Sequence, residues 1–359
     1  MIRRTFVAVS ALAFATAAFA APAAAKPPAK AAPAAAGSAL PGYTEADIKA
    51  ALQAAYDKYK DLQEGKNADY IPALAKVDSK IYGIALVTTD GKVYTTGDVD
   101  SKVSIQSISK VFTMAKVIED QGPDAIVKRI GVDATGMRFN SIVAVEFAQK
   151  ALGGPEINPL VNPGAITATS MVKEGSGRDE VWKTILDYHS DFAGRPLDVD
   201  QEVFKSEAAT NQRNQAIGQL MYAYEFIKSN PQQATDVYTE QCAIAVNAKD
   251  LAVMAGTLAN GGKNPVTGKQ VLATANVPKV LAVMATAGLY DDSGKWYYRT
   301  GLPAKSGVGG GIIAVSPGKF GIAVVSPPLD DAGNSVRAQK AIADVSNALG
   351  GNPLASKPR

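Results

Sequence analysis

A run of nine residues from Ser104 to Phe112 (SIQSISKVF) joins a predicted strand pair to a predicted buried helix. Upstream, residues 81–96 have the composition of two strands around the turn signal Asp90-Gly91, which predicts a β-hairpin. Downstream, apolar residues recur at helical spacing from Val111 to Ile118, and Gln121-Gly122-Pro123 ends that pattern. The chain is therefore constrained to bring a strand end and a helix start together at this run.

Ser107 and Lys110 stand three residues apart at the predicted helix start. A serine there has its hydroxyl near unpaired backbone N–H groups and the positive end of the helix dipole. Lys110 lies on the same helix face, and burial among apolar neighbours lowers the basicity of a lysine so that it can accept a proton. Such a Ser-x-x-Lys pair is the nucleophile and base of one class of acyl-transfer site. The alternative is a helix-capping serine followed by a lysine that reaches the surface.

The same four-residue pattern occurs twice more, as Ser170 with Lys173 and as Ser316 with Lys319. Ser170 lies well inside a predicted helix, and residues 316–319 (SPGK) predict a turn. Only Ser107 follows a strand pair and opens a buried helix, so the context favours Ser107 as the candidate nucleophile.

Composition excludes several classes of function. The chain has 359 residues, of which 47% are hydrophobic, enough for one large domain or two closely packed lobes. A net charge of +3 does not resemble the basic field of a nucleic-acid-binding protein. The single cysteine, Cys242, excludes an internal disulfide. The single histidine, His189, argues against a Ser-His-Asp triad or a histidine-rich metal site, and we expect an ordinary helix-end or surface histidine.

The first forty residues differ from the rest of the chain. Residues 1–20 have a positive start at Arg3-Arg4, an apolar stretch and the cleavage pattern Ala18-Phe19-Ala20, which predicts a secretory signal peptide. Residues 21–40 are almost all Ala, Pro, Lys and Gly, which predicts a disordered tether. We expect a folded domain over residues 41–350, a flexible tail over 351–359, and a periplasmic or secreted protein without stable membrane insertion once the signal is removed.

Strands at both ends of the domain, with helices between them, predict an α+β fold. Short apolar segments at residues 302–308, 311–316 and 320–325, separated by Gly-Gly and Pro-Gly, predict antiparallel strands, and residues 334–349 predict a closing helix. The sheet would then be built from strands near the two termini and packed with a mostly helical lobe. A first helix is predicted to begin near Thr44, since Ile48, Leu52, Ala55 and Tyr56 follow at helical spacing. Further helices are predicted at about residues 141–152, 164–174, 178–192, 211–229, 235–245, 248–260 and 278–288.

Residues 305–311 (KSGVGGG) are the second unusual stretch. Glycines allow a strand backbone to approach a ligand closely, and a backbone N–H held there would form an oxyanion hole with that of Ser107. A glycine-rich bulge is the alternative. Ser-x-x-Lys early and Lys-Ser-Gly late is the order found in serine β-lactamases and penicillin-binding proteins. The order predicts that both elements meet at one cleft.

Several stretches together make the chain resemble the bacterial-type glutaminases, which are serine-dependent enzymes of β-lactamase-like fold. The resemblance covers about residues 44–349 and keeps the order of the family's motifs. The matching stretches are Tyr70–Ala75, Ser104–Phe112, Arg138–Ser141, Asn158-Pro159 with Asn162, Ser206-Glu207 through Arg213-Asn214, Tyr238 before Gln241-Cys242, Gly288–Asp291 and Lys305–Gly311.

The resemblance implies hydrolysis of L-glutamine to L-glutamate and ammonia, with no metal or organic cofactor, by a homo-oligomer (a dimer or a tetramer). It implies that Ser107 is the nucleophile, that Lys110 is its base, and that Tyr70 lies near the reacting centre. The chemistry of a phenol allows Tyr290 or Tyr70 to pass a proton to the departing ammonia. The residues that it implies for substrate binding are Ser107, Asn158, Glu207, Asn214, Tyr238, Tyr290 and the backbone of Val308.

These assignments suit the charges of glutamine. Glu207 can pair with the α-ammonium, and Asn158 and Asn214 can bind the carboxylate or orient the substrate. Each residue also has an ordinary interpretation, for example Asn158 before Pro159 as a turn residue. The chain departs from the family pattern at Pro163, where alanine is usual, and at Ala243, where serine is usual and where pocket affinity could differ.

Two other functions fit the same residues. One is a β-lactam-interacting or peptidoglycan acyltransferase on the same scaffold, although its further Ser-x-Asn signature has no clear match. The other is a non-catalytic amino-acid-binding protein that uses the same pocket.

Overall fold

The computed structural model describes residues 40–151, 153–154 and 156–355. The predicted signal peptide, residues 21–39 of the predicted tether and residues 356–359 of the predicted tail lie outside the described residues. Leu40, the last residue of the predicted tether, is buried in a hydrophobic cluster. In the predicted tail Gly351 is buried, and its carbonyl accepts a hydrogen bond from Ser316 at 2.7 Å.

Helices alternate with short strands along the described chain. The helices are α1 Glu45–Tyr59, α2 Pro72–Ala75, α3 Ser109–Gln121, α4 Pro123–Arg129, α5 Ile142–Ala151, α6 Asn162–Met171, α7 Arg178–Ala193, α8 Gln201–Ala208, α9 Gln212–Ala223, α10 Pro231–Cys242, α11 Ala248–Ala259, α12 Val277–Ala287, α13 Ser293–Thr300 and α14 Val336–Ala348. The strands are β1 Gly83–Thr88, β2 Val93–Gly97, β3 Val103–Ser104, β4 Asp198–Val199, β5 Ile244–Val246, β6 Ala304–Gly307, β7 Gly311–Ser316 and β8 Phe320–Val325.

The main sheet has five strands in the order β2-β1-β8-β7-β6, and each neighbouring pair is antiparallel. Gly83 pairs with Val325 and Thr88 with Phe320, so the N-terminal hairpin lies beside the C-terminal strands. A second sheet has the order β3-β5-β4. This mixture of helices with antiparallel sheets confirms the coarse fold prediction, a sheet built from both ends of the domain.

Both faces of the central strands β1, β8 and β7 are buried, which explains why these strands are mostly apolar, whereas the edge strand β2 is partly exposed. Side chains alternate between the faces. On one face Val87, Ile313 and Ala323 pack in the cluster that includes α3, α6 and α11. On the other face Ile84 and Ile322 pack with α1, α13 and α14.

Helix α11 lies directly against β8 because Gly321 has no side chain. A Cβ at Gly321 would meet the backbone of Ala255 and Gly256. All but one residue of α11 is buried, so this helix is the centre of the packing between the sheet and the helical lobe. The close approach fixes the sheet relative to α11, against which β1, β7 and β8 all pack.

Two helix predictions were wrong at their ends. The helix predicted at 211–229 ends at Ala223, because Glu225 has a φ of 62° that interrupts the helix. The helix predicted at 235–245 begins at Pro231, capped by Asn230, and ends at Cys242, while Ile244–Val246 is strand β5. No helix among residues 40–151, 153–154 and 156–355 is long and apolar enough to cross a membrane.

Candidate active site

Ser107 and Lys110 are in direct contact at the start of α3. Lys110 Nζ lies 2.5 Å from Ser107 Oγ, and both residues are buried, with exposed fractions of 1% and 7% for Lys110 and Ser107. Burial lowers the pKa of Lys110 to about 8, although Cys242 and Glu207 act in the opposite direction. About one tenth of Lys110 is therefore neutral at pH 7, and about half at pH 8, and this form can accept the hydroxyl proton of Ser107.

The other two Ser-x-x-Lys sequences do not form such a contact. Ser170 Oγ donates to the Thr167 carbonyl inside α6 at 2.6 Å. Ser316 ends β7, and Lys319 Nζ donates to the Gly350 carbonyl at 2.5 Å. Of the three Ser-x-x-Lys sequences, only Ser107 and Lys110 form a serine–lysine contact, as the sequence context predicts.

A strained turn presents Ser107. Gln106 has a φ of 49°, a left-handed conformation that residues other than glycine rarely adopt. The N–H of Ile105 donates to the Ile244 carbonyl at 2.8 Å, and Ser109 Oγ donates to the Gln106 carbonyl at 2.7 Å. Strained backbone held by surrounding contacts is common at functional sites, where it fixes the position of a reactive group.

The glycine-rich end of β6 packs directly on this turn. A Cβ at Gly307 would meet the Ile105 carbonyl, and one at Gly309 would meet the Ser104 carbonyl. Val308 lies between these two glycines, and its N–H donates to no acceptor among the described residues. The two motifs from opposite ends of the domain therefore meet, with a free N–H at their junction.

Tyr290 joins the dyad to β6. It also has a positive φ, 53°, and its hydroxyl interacts with the Ser107 side chain and lies 3.4 Å from the Ser306 carbonyl. Burial raises the pKa of Tyr290 to about 12, so its phenol is protonated at neutral pH. Lys305 Nζ lies 4.1 Å from the centre of the Tyr290 ring and donates to the Ser306 carbonyl at 2.6 Å. Burial holds the pKa of Lys305 well below its ordinary value.

Glu207, in α8, is a buried carboxyl near the dyad. Its exposed fraction is 7%, and Gln106 Nε2 lies 3.1 Å from its Oε2. Burial raises its pKa to about 7, whereas the Gln106 hydrogen bond and the charge of Lys110 lower it. A carboxylate in this place is a strong partner for a substrate cation.

Tyr238 and Asn214 are linked through a residue that had no predicted role. The Tyr238 hydroxyl donates to Asn162 Oδ1 at 3.1 Å, and Asn162 Nδ2 donates to Asn214 Oδ1 at 2.9 Å. The ring of Tyr238 also lies 5.2 Å from Lys110 Nζ. Three polar side chains from α6, α9 and α10 are thereby held beside the dyad.

Asn158 is placed differently from the other predicted binding residues. It is fully buried, its Nδ2 donates to the Asp133 carbonyl at 2.8 Å, and its Oδ1 accepts from the Leu160 N–H at 3.0 Å. Its amide therefore keeps only a second N–H and a second lone pair for another partner.

Tyr70 lies at the rim of a cleft of about 850 Å³. Its residue surface is 55% exposed, and it makes no hydrogen bond within the described chain. Val308 and Phe139 also line the cleft, so the cleft adjoins the end of β6 that contacts the Ser107 turn.

Gln106, Asn162 and Lys305 lie in motifs of the sequence, but no role was predicted for them. The helical spacing that pairs Ser107 with Lys110 is visible in the sequence, whereas Gln106 and Glu207 are 101 residues apart. Nothing in the sequence indicates that Gln106 has a positive φ or that Lys305 is buried, because a glutamine and a lysine are usually surface residues.

His189 was predicted to be an ordinary helix-end or surface histidine, and the surface position was wrong. His189 lies near the end of α7 but is fully buried, with Nδ1 2.8 Å from the Ile185 carbonyl and Nε2 3.2 Å from the Ser109 carbonyl. Burial lowers its pKa to about 4, so it is a neutral structural group that packs under the start of α3. Within the part of the chain that the structure describes, no group of three His, Cys, Asp or Glu residues could hold a metal ion.

Comparison with known proteins agrees across sequence and structure. The family model described as Glutaminase matches residues 65–352. The glutaminase of Colwellia psychrerythraea (strain 34H) is 52% identical over 305 residues, covering 85% of this chain and 96% of that protein. The glutaminase of Mycobacterium ulcerans (strain Agy99) is 48% identical over 306 residues, covering 85% of this chain and 94% of that protein.

Solved structures give the same result. The probable glutaminase ybaS superimposes with a TM-score of 0.83 at 46% identity, covering 86% of this chain and 98% of that chain. A probable glutaminase from Bacillus subtilis, solved in complex with 6-diazo-5-oxo-L-norleucine, superimposes with a TM-score of 0.71 at 28% identity, covering 84% of this chain and 93% of that chain.

Proposed function

Since this chain belongs to the glutaminase family and is a hydrolase that acts on glutamine, we propose that it cleaves the side-chain amide through an acyl-enzyme on Ser107. The observation that carries this proposal is the contact of 2.5 Å between Ser107 Oγ and the amine of Lys110, which is buried and weakly basic. A serine with an adjacent base is a recognised activated nucleophile.

In the first half of the reaction Lys110 takes the proton of Ser107 Oγ as that oxygen attacks the amide carbon. The negative charge on the amide oxygen is stabilised by the N–H groups of Ser107 and Val308. The proton held by Lys110 then passes to the amide nitrogen, the C–N bond breaks, and ammonia departs, which leaves a γ-glutamyl ester on Ser107. Tyr290 is better placed than Tyr70 to relay that proton, because its hydroxyl interacts with Ser107.

In the second half a water molecule attacks the ester. Lys110 takes a proton from the water, the bond to Ser107 Oγ breaks, and that oxygen recovers its proton from Lys110. Glutamate is released. The proton that Lys110 takes from Ser107 thus leaves with ammonia, and the proton that it takes from water restores the Ser107 hydroxyl, so the enzyme ends in its starting state.

Substrate binding is assigned to the polar residues around the dyad. Glu207 receives the α-ammonium as a carboxylate, and Asn214 contributes amide groups that bind the α-carboxylate or orient it. Tyr238 forms a wall, held by Asn162. Asn158 contributes through the amide groups that its local hydrogen bonds leave unused.

We extend the proposal to the fold. The site lies where the edge strand β6 of an antiparallel sheet meets the start of the buried helix α3, and a helical lobe covers it. This arrangement, with Ser-x-x-Lys at the helix start and Lys-Ser-Gly on the edge strand, supports a fold of the serine β-lactamase and penicillin-binding-protein type.

The test is release of ammonia from glutamine, asparagine and γ-glutamyl compounds, measured side by side with ring opening of a chromogenic β-lactam. We expect ammonia from glutamine. Ring opening without ammonia would favour an acyltransferase acting on β-lactams instead.

Ser107→Ala separates an enzyme from an amino-acid-binding protein that uses the same pocket. We expect turnover to fall by at least ~10³-fold, because the nucleophile and its base act as a unit, and Lys110→Ala to be nearly as severe. Retained turnover in either variant would contradict the mechanism.

Export and assembly are part of the proposal. We propose that the protein is delivered to a periplasm or secreted and that it forms a homo-oligomer, either a dimer or a tetramer. N-terminal sequencing of the protein from fractionated cells should give Ala21 as the first residue, and light scattering gives the subunit number. A cytoplasmic protein that begins at Met1 would contradict export.

A further inference from the structure

Gln106 connects the Ser107 turn to Glu207. It is 2% exposed, and its Nε2 lies 3.1 Å from Glu207 Oε2 and 3.2 Å from Ser104 Oγ. It does so from a backbone conformation with φ of 49°, which is unfavourable for a residue with a side chain. A long amide side chain held in such a conformation indicates a function that only this side chain at this place can supply.

The surroundings of Gln106 leave it little freedom. Its carbonyl accepts the Ser109 hydroxyl at 2.7 Å, and Gln241 Nε2 lies 3.3 Å from the same hydroxyl. On its other side, the backbone of Gly307 packs close to the Gln106 Cβ, so a Cβ at Gly307 would touch it. The Gln106 carbonyl and Cβ are therefore held by α3 and β6, and its side-chain amide by Ser104 and Glu207.

Glu207 depends on this amide. Within the described chain, Gln106 is the one group that donates a side-chain hydrogen bond to the Glu207 carboxylate, and no lysine or arginine forms an ion pair with it. The other groups near Glu207 are Lys110 in α3, Tyr70, and Tyr238 and Cys242 in α10. Of these, only Lys110 acts on Glu207 through its charge. One carboxylate oxygen is thus anchored, and the other is left for a cation.

We propose that Gln106 is a positioning residue, which holds the Glu207 carboxylate in the orientation that receives the α-ammonium of the substrate. The inference rests on the proposed function, because it takes ammonium binding by Glu207 as given. The inference goes beyond that function, because it makes one turn of the backbone both present the nucleophile Ser107 and orient the carboxylate that binds the α-ammonium. A change in that hydrogen bond should affect substrates with an α-ammonium and spare those without one.

The test uses two substrates, L-glutamine and 4-carbamoylbutanoate, which has the same amide and carboxylate but no α-amino group. Gln106→Met keeps the length of the side chain and removes the N–H donor. We expect kcat/KM for glutamine to fall by about tenfold or more, mainly through KM, since a hydrogen bond to a charged group is lost. We expect kcat/KM for 4-carbamoylbutanoate to change by less than about threefold, because the Ser107 site is intact.

Ser104→Ala is the matched control. It removes the second partner of the Gln106 amide and leaves the hydrogen bond to Glu207, so we expect the glutamine preference of the wild type to persist. Gln106→Asn keeps an amide but is one methylene too short to reach Glu207. We expect the same loss of kcat/KM for glutamine as in Gln106→Met, and Gln106→Asn replaces that variant in the test if the methionine variant does not fold.

The pH dependence gives a second readout that a structural role would not change. Loss of a hydrogen bond to the carboxylate raises the pKa of Glu207, so the acidic limb of kcat/KM for glutamine should move to higher pH in Gln106→Met. A limb that stays in place, or equal losses on both substrates, would overturn the role of Gln106. A wild-type enzyme that does not prefer glutamine would overturn ammonium binding by Glu207 as well, and one that does not cleave glutamine would overturn the proposed function itself.

Discussion

Lowering the pH from about 8 to about 6 should inactivate the enzyme more steeply than one titrating group allows. The proposed reaction needs Lys110 neutral and Glu207 ionised in the same molecule. Burial lowers the pKa of Lys110 to about 8 and raises that of Glu207 to about 7. Both groups take up a proton as the pH falls, so both changes remove the active form.

The magnitude follows from these two values. If the groups titrate independently, the fraction with neutral Lys110 and ionised Glu207 falls about tenfold from about pH 8 to pH 7, and about fifty-fold from pH 7 to pH 6. The increasing steepness is the diagnostic feature, because one group alone never gives more than a tenfold change for each pH unit.

The assay is kcat/KM for glutamine at subsaturating substrate across this pH range, with Glu207→Gln as the matched variant. That variant retains only the Lys110 titration, so the drop from about pH 7 to pH 6 should shrink to about ninefold. Loss of the Glu207 charge also lowers the pKa of Lys110, which moves the remaining limb to lower pH. A flat wild-type profile, or a variant as steep as the wild type, would refute the reasoning.

Three further predictions concern stability and binding. His189 has a pKa of about 4 in the folded protein and about 6.5 in the unfolded chain, so the folded state loses stability as the pH falls through this range. In urea titrations, the free energy of unfolding of the wild type relative to His189→Gln should therefore fall by about 1.3 kcal/mol from about pH 7.5 to pH 5.5. An unchanged difference between the two proteins would contradict this prediction. Gly321→Ala pushes a methyl group into the α11 backbone and should cost about 1–3 kcal/mol or more in thermal unfolding, while Gly294→Ala, with open space around it, should be nearly neutral; equal effects would disprove the contact. Asn162→Ala removes the link between two binding side chains and should raise KM for glutamine by about tenfold with a smaller change in kcat, and an unaffected KM would exclude that link from substrate binding.

The long buried elements were predictable from the sequence because local signals agree with the fold. Strands β7 and β8 match their predicted bounds, since an apolar run on each side of Pro317-Gly318 allows few other structures. The small sheet β3-β5-β4 was missed, because strands of two or three residues have no measurable periodicity. Residues 244–245 were assigned to a helix for the same reason, since their pairing with β3 and β4 is decided by tertiary contacts.

The dyad was accessible to sequence reasoning because Ser107 and Lys110 are neighbours on one helical turn. The hydrogen bond from Gln106 to Glu207 could not be predicted, because it joins residues 101 positions apart. It also depends on a left-handed φ at Gln106, which a glutamine in the sequence does not indicate. The prediction placed His189 at a helix end or at the surface because the sequence shows no partner for a buried imidazole. In the structure both ring nitrogens lie next to backbone carbonyls, one of them 80 residues away in the sequence, and these contacts allow the ring to be buried.

The most direct test of the central claim is to identify the residue that reacts with an electrophilic glutamine analogue. The B. subtilis relative was solved with 6-diazo-5-oxo-L-norleucine, which keeps the amino-acid head of glutamine and carries a reactive diazo ketone in place of the amide. After incubation, digestion and mass spectrometry, the peptide that contains Ser107 should carry the label, and Lys110→Ala should label far more slowly. A label on any other residue, or inactivation that leaves the Ser107 peptide unmodified, would contradict the account.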